Sequence, residues 1–272
     1  MTQFLSVITV VRNDPDGLAR TRASLEAQDG NAFEWIVVDG ASTDETLAAL
    51  EGADPSRLTV LSEPDRGLYD AMNKGLGLAR NEYVCFLNAG DSLVGRDVLR
   101  QLATEAERLD RPDILFAGQV KRYPNGQDLE VPAHEPHGWV RYSLPASHQA
   151  CFIKRGTHLK TPYDLSYRAT ADYHAVALMY AKGASVARSH VTAVFSDKGV
   201  DSHSYRHPYS VIAEAARVQR EVFGLSRSRV AFDAIKRLMP IVFWRLSSHI
   251  PHLVYAAEIA GRGQAVNRRD QI

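Results

Sequence analysis

Residues 35–44 read Trp-Ile-Val-Val-Asp-Gly-Ala-Ser-Thr-Asp. The apolar, β-branched run stops abruptly at Asp39-Gly40, as a short buried strand does. Ser42-Thr43-Asp44-Glu45 follows as a capping box and predicts a helix carrying Leu47 and Leu50. A buried strand feeding directly into a helix is half of a βαβ unit, and the chain repeats it on both sides. Upstream, Leu5–Val11 is a β-branched run, and Asp14-Pro15-Asp16 opens a helix from Leu18 to Leu25. Downstream, Leu58–Leu61 is strand-like, Leu68, Met72, Leu76 and Ala79 lie at helical spacing, and Tyr83–Leu87 is a fourth strand. Val98, Leu99, Leu102 and Ala106 mark another helix before the strand Asp113–Gln119. This alternation predicts an α/β fold with a mainly parallel sheet flanked by helices. Ligands of such sheets bind beyond the carboxyl ends of the strands, where Asp39 and Asn88–Asp91 fall.

Beyond this region the pattern loosens. Lys121–Pro145 is irregular, with turn chemistry at Pro124-Asn125-Gly126. Gln149–Ile153 reads as a strand, Ala171–Lys182 as a helix, and Ser185–Arg188 with Thr192–Phe195 as edge strands. After about residue 205 only helical signals remain. The expected organisation is a catalytic domain over 1–205, with halves meeting near residue 120, and a helical appendage over 206–272.

Composition narrows the function. In 272 residues, 32 Lys+Arg balance 32 Asp+Glu, which argues against a generic nucleic-acid binder. Cys85 and Cys151, the two cysteines, each sit inside an apolar run and read as core hydrophobes, leaving no disulfide framework or Cys-based zinc site. The N-terminus has no basic region followed by a long apolar run, and no stretch has the ~18 apolar residues of a spanning helix. A cytosolic chain is therefore expected. There is no GxxxxGK[ST], and Gly75-Leu76-Gly77-Leu78-Ala79-Arg80 lacks the third glycine of a dinucleotide fingerprint and lies late in a helix. His134-Glu135-Pro136-His137 is interrupted by proline, so it reads as surface rather than as a helical ligand pair.

What stands out is carboxylates placed after strands and at a helix start. Asp39 can accept hydrogen bonds from a base or ribose, or simply organise its loop. Asp91, in Phe86-Leu87-Asn88-Ala89-Gly90-Asp91, suits a hard divalent cation bridging phosphates, or a turn. Asp172 begins a helix, where an acid is comfortable with the dipole and a general base is equally at home.

In order, the runs Leu5–Asn13, Val37–Asp44, Glu63–Gly75 and Phe86–Asp91, with the later His148-Gln149 and Ala171-Asp172-Tyr173, resemble the family-2 glycosyltransferases of GT-A fold. The likeness is greatest to the bacterial exopolysaccharide and glycolipid branch that includes colanic-acid transferases, and it covers roughly residues 3–200. It implies a Rossmann-like mixed sheet and inverting transfer of a sugar, hexosyl or deoxyhexosyl, from a UDP, GDP or dTDP donor to a saccharide or lipid-linked acceptor. Carried over, Thr9, Val11 and Arg12 would line the nucleotide pocket and Asp39 would hold the base. Asp65, Asp70 and Lys74 would lie near ribose, diphosphate or donor sugar. Asn88, Ala89 and Asp91 would form the stretch for Mn2+ or Mg2+, with Asp91 as the ligand. His148 and Gln149 would face donor sugar or acceptor, Asp172 would be the base, and Lys198, in a loop over Ser196–Ser202, would meet the diphosphate. The metal stretch departs from relatives with two or three acids, since Asn88 and Gly90 leave only Asp91. That thinning keeps open a second reading, a non-catalytic protein that binds sugar nucleotides or assists assembly.

From Leu225 to Ile272, eight Arg and Lys face three acids, interleaved with Phe232, Ile235, Met239, Phe243 and Trp244. Such a segment suits peripheral attachment to the anionic inner face of the plasma membrane. It equally suits packing on the catalytic domain or on a second copy as a homodimer.

Overall fold

The computed structural model describes residues 4–30, 33–122, 128–196, 208–246 and 264–265. Four strands form its parallel half: β1 (Leu5–Val11), β2 (Phe33–Asp39), β3 (Leu58–Ser62) and β4 (Tyr83–Phe86). They lie in the order β3-β2-β1-β4, every neighbour parallel. β1 and β2 are buried almost throughout, as continuous Val and Ile runs must be when helices cover both faces. Helix α1 (Pro15–Glu26) joins β1 to β2, and α2 (Leu68–Leu78) joins β3 to β4.

The crossover after β2 corrects the capping-box reading. It is a six-residue 3-10 helix, Glu45–Leu50, capped by Asp44 rather than Ser42. Ser42 gives both its N–H and its hydroxyl to the Asp39 carboxylate, so it is not available to cap. Asp44 takes the Thr46 N–H at 3.0 Å instead.

The remainder is mixed: β5 (Ser92–Leu93), α3 (Val98–Arg108), β6 (Ile114–Arg122), β7 (Asp128–Val131), α4 (Pro136–Trp139), β8 (Cys151–Lys154), α5 (Arg155–Leu159), α6 (Ala171–Ala181) and β9 (Val186–Ser196). β8 lies between β4 and β6, antiparallel to both, and β9 runs parallel to β6. The two predicted edge strands are thus one strand, with its register slipping opposite Phe116–Gln119. The stretch read as irregular contains β7, folded back on β6, and α4; its Pro124-Asn125-Gly126 turn lies outside the described residues. Two helices follow, α7 (Pro208–Glu221) and α8 (Arg227–Leu246), then β10 (Gln264–Ala265). β10 pairs antiparallel with β7, so the last segment is not purely helical.

Alternation along the strands divides the core between the two faces of the sheet. Leu5, Val7 and Val11 pack with Leu18, Leu25, Leu99 and Leu102 on one face. Ile8 packs with Met72, Leu76, Val176 and Met179 on the other. α7 adds Ala215 and Val218 to this second core. α8 is tied down by Asp233, 1% exposed, which accepts from Gln219 at 3.0 Å and Arg229 at 3.2 Å. Arg237 lies 4.3 Å over the Tyr142 ring. The outward side of α8 exposes Phe232, Ile235 and Met239 by 55%, 59% and 64%. Among the described residues, no helix is long and apolar enough to cross a membrane. Both cysteines are buried and unpaired, and burial pushes the Cys85 thiol up to about 12.

Candidate active site

The carboxyl end of β1 is flanked by β2 and β4. Val11 pairs with Asp39, and the Ala89 N–H donates to the Val10 carbonyl at 3.2 Å. Two strand spacings, about 10 Å, therefore separate the Asp39 loop from the Asn88–Asp91 loop across β1.

At the β2 end, Asp39 is fully buried and accepts from Ser42 N–H, Ser42 Oγ and, at 2.6 Å, Ser62 Oγ. The loops after β1 and β2 are tied together: Asn13 N–H donates to Ser42 Oγ and Thr43 N–H donates to Asn13 Oδ1, both at 2.9 Å. Asn13 (φ 50°) and Ala41 (φ 57°) each hold left-handed backbone there, a cost of about 1 kcal/mol that such ties offset. Gly40 lets these side chains approach closely, since a Cβ on it would sit 2.5 Å from Asp65 Oδ2 and 3.4 Å from Arg12 Cδ. Exposed Arg12, buried Gly40 and half-buried Asp65 thus share one wall. Thr9 and Val11, expected in that wall, are turned away from it. Thr9 is fully buried with its hydroxyl accepting from the Trp35 indole at 2.9 Å, and Val11 packs in the α1 core.

Asp70 and Lys74 hold the loop that carries Asp65. Asp70 accepts from the Arg66 guanidinium at 2.8 Å and from the Arg66 N–H at 3.0 Å. Those bonds hold its carboxyl below the usual range. Lys74 Nζ bonds Glu63 at 2.7 Å, which raises its pKa, and the Pro64 carbonyl at 2.8 Å. Both are engaged within the protein, and they brace Glu63–Gly67 rather than reaching into open space.

At the β4 end, residues distant in sequence converge. Asn88 Nδ2 lies 3.2 Å from His148 Nε2, and His148 Nδ1 lies 3.6 Å from Asp172 Oδ2. Asp172 Oδ1 accepts from the Tyr173 N–H at 2.8 Å and from Tyr69 Oη at 3.2 Å. Burial and the Asp172 charge hold the Tyr69 hydroxyl far above its ordinary pKa, so Tyr69 stays a donor. One oxygen of Asp172 is thereby fixed, leaving Oδ2 toward His148. Gln149 Nε2 donates to Asp91 Oδ2 at 3.1 Å.

This loop passes one test for a divalent cation. Asn88 Oδ1 and Asp91 Oδ1 are buried acceptors with no hydrogen-bond donor. Hard cations take such oxygens and leave the rest of their shell to phosphates and water. No group of three or more His, Cys, Asp or Glu side chains that could hold a metal occurs among the described residues, so the donor would have to complete the coordination. Ala89, 4% exposed, contributes backbone. His134 instead stacks on Trp139 at 3.6 Å. Lys198 and its loop lie outside the described residues.

Two contributors carried no sequence signal. Tyr69 falls inside the Glu63–Gly75 run with no role assigned to it, yet its hydroxyl meets Asp172. Glu214, in the appendage, accepts from the backbone N–H groups of Arg168, Ala169 and Thr170 just before Asp172.

Comparisons with known proteins bear on the family and the fold. The model of the family described as glycosyl transferase family 2 matches residues 6–175. An uncharacterised glycosyltransferase of Mycobacterium tuberculosis is 34% identical over 243 residues, 84% of this chain and 89% of the relative. A PGL/p-HBAD biosynthesis glycosyltransferase of the same species is 32% identical over 179 residues, 62% of this chain and 67% of the relative. Among solved structures, a mannosyltransferase of Pyrobaculum calidifontis in complex with GDP-Man and Mn2+ superposes with a TM-score of 0.60 at 19% identity, over 96% of this chain and 79% of that one. At that identity the likeness is one of fold, a GT-A-like mixed sheet flanked by helices.

Proposed function

As this chain belongs to glycosyl transferase family 2, we propose that it is an inverting glycosyltransferase. Its donor is a UDP-, GDP- or dTDP-sugar, hexosyl or deoxyhexosyl. Its acceptor is a hydroxyl of a saccharide or lipid-linked saccharide, in the synthesis of a cell-surface polysaccharide or glycolipid. The observation that carries this reading is the convergence of Asn88, His148 and Asp172 from three separate segments beyond the sheet's carboxyl edge.

The nucleoside lies along Arg12, Gly40 and Asp65, with the Asp39 loop beneath the base. Asp172 Oδ2 takes the proton of the acceptor hydroxyl as its oxygen attacks the anomeric carbon from the side opposite the diphosphate. The bond from that carbon to the diphosphate oxygen breaks, its electron pair leaves with the nucleoside diphosphate, and configuration inverts. Tyr69 and the Tyr173 N–H fix the carboxylate plane, and His148 holds Asp172 in register with the Asn88–Asp91 loop. Asn88 and Asp91 would hold Mn2+ or Mg2+, which when bound neutralises charge on the departing diphosphate. Lys198 is the cation proposed to assist it. Phe232, Ile235 and Met239 beside Lys236 support attachment to an anionic membrane surface on the cytoplasmic side.

The thin metal stretch supports a second reading, a non-catalytic sugar-nucleotide-binding protein. One experiment separates the two. A thermal-shift panel of UDP-glucose, UDP-N-acetylglucosamine, GDP-mannose and dTDP-rhamnose with Mn2+ identifies the donor, and turnover is then compared for wild type and Asp172→Asn. The base reading expects turnover to fall about 10²–10⁴-fold with donor binding retained. Near-wild-type turnover in Asp172→Asn refutes the base, and donor binding without wild-type turnover supports the non-catalytic reading.

A further inference from the structure

The segment that leads into Asp172 is not self-supporting. Helix α6 starts after Thr170, which makes no side-chain cap of its own. Its three preceding backbone N–H groups instead converge on one carboxylate from the C-terminal appendage. Glu214 Oε1 accepts from Arg168 N–H, and Oε2 accepts from Ala169 and Thr170 N–H, all at 2.9 Å. Thr170 Oγ1 adds a fourth bond to Oε2 at 3.1 Å. Successive N–H groups aimed at one point form a nest, a concavity with a partial positive charge that an anion fills.

Glu214 does not act alone on its helix. Glu214, Arg217 and Glu221 are spaced three and four residues apart, so they share one face of α7. Arg217 lies 4.4 Å over the Tyr167 ring and reaches Ser166 Oγ at 3.3 Å. Glu221 accepts from Tyr167 Oη at 3.0 Å. The Tyr167 ring in turn stacks on His174 at 4.3 Å, one half-turn beyond Asp172. Residues 166–170 are gripped by a single helix face, and Tyr167 carries the contact on to His174.

We propose that Glu214 is a positioning residue for the reaction: by filling the nest at 168–170 it sets the height and tilt of the first turn of α6, and with it Asp172 Oδ2. This rests on Asp172 being the base. It makes the appendage part of the active site, although Glu214 touches no reacting atom. The charge matters as well as the shape. A glutamine there keeps the volume but offers one acceptor oxygen, and its amide nitrogen would face another N–H donor.

Glu214→Gln is therefore tested in the full chain by two measurements. Amide hydrogen exchange of residues 168–172 should accelerate at least tenfold while α7 itself stays protected. With the donor selected by the panel above, kcat should fall on the order of 10- to 100-fold at unchanged donor KM, because a base misplaced by ~1 Å loses rate and not donor affinity. Thr170→Val, which deletes only the hydroxyl bond, should show a smaller effect in the same direction, and Arg220→Ala on the exposed side of α7 should show none. Unchanged exchange at 168–172 in Glu214→Gln overturns the proposal. So does accelerated exchange with wild-type kcat, or a loss that appears in KM alone. Asp172→Asn, measured beside it, distinguishes the two failures. If that variant is inactive and Glu214→Gln is not, only the positioning role falls; if it turns over normally, the base assignment falls and the positioning role with it.

Discussion

Two glycines two residues apart on α2 are expected to respond oppositely to alanine. A Cβ on Gly75 would lie 2.4 Å from Ile8 Cγ2 and 3.1 Å from Val38 Cγ2. Both neighbours are fully buried and β-branched, in adjacent central strands, so neither can swing aside. The helix must lift off the sheet by roughly 1 Å to restore ordinary contact, an overpacking cost of about 2–4 kcal/mol, at and slightly above the usual range because both obstacles are rigid. Helix propensity returns about 1 kcal/mol, leaving Gly75→Ala destabilised by about 1–3 kcal/mol. Gly77 is exposed, and a Cβ on it meets nothing within 4 Å. Gly77→Ala should gain up to about 1 kcal/mol from propensity and a less free unfolded chain. At about 2 °C per kcal/mol for a chain of this size, Tm should fall by about 2–6 °C in the first variant and rise by up to 2 °C in the second. Differential scanning fluorimetry and urea midpoints read both. If Gly75→Ala proves as stable as Gly77→Ala, the argument that close helix-sheet approach demands glycine at 75 is wrong.

Three further outcomes are expected. Asp91→Ala should abolish the Mn2+-dependent part of donor binding measured by calorimetry while leaving metal-free binding in place; equal Mn2+ enhancement in both proteins would remove Asp91 from the metal site. His158 is fully buried, its Nδ1 bonded to the Thr161 carbonyl at 3.2 Å and its Nε2 without a partner, and burial pushes its pKa down to about 4. The unfolded chain therefore binds the extra proton first, so stability falls as pH drops from about 6.5 to about 4, by up to roughly 3 kcal/mol. His158→Phe should flatten that slope in urea titrations at pH 7 and pH 5, and an unaltered slope would clear His158 of the effect. Phe232→Ser with Ile235→Ser should weaken co-sedimentation with phosphatidylglycerol vesicles at least several-fold; retained binding, or a shift from dimer to monomer in light scattering, would assign the α8 face to another surface.

The parallel half was legible because burial there is dictated locally. Leu5–Val11 is a strand with the very bounds the β-branched run suggested, and Trp35–Val38 needed only its ends extended to Phe33 and Asp39. Asp172 and Asp39 could be singled out because each sits where an element begins or ends. What stayed hidden depended on partners far along the chain. Ser42 looks like a cap until Asp39 is seen to occupy it, and Tyr69 has no role assigned to it until Asp172 arrives from 103 residues away. Glu214 lies in a run of alanines on an ordinary amphipathic helix, and its partners are 44 to 46 residues upstream. Gly75-Leu76-Gly77, which resembles a fragment of a dinucleotide motif, is a matter of packing at its first glycine and of nothing at its second. β10 escaped because two residues of pairing leave no periodicity to read.

The grip of α7 on residues 166–170 also bears on the order in which the protein is completed. A chain emerging from the ribosome is made from its N-terminal side, at about 5–20 residues per second. The Asp39, Asp65 and Asn88–Asp91 loops are all synthesised before residue 100, whereas Glu214, Arg217 and Glu221 arrive more than a hundred residues later. During those seconds the loops for the proposed donor have been made and the clamp over the proposed base has not. The residues proposed to hold the donor are thus made well before the clamp proposed to position the base.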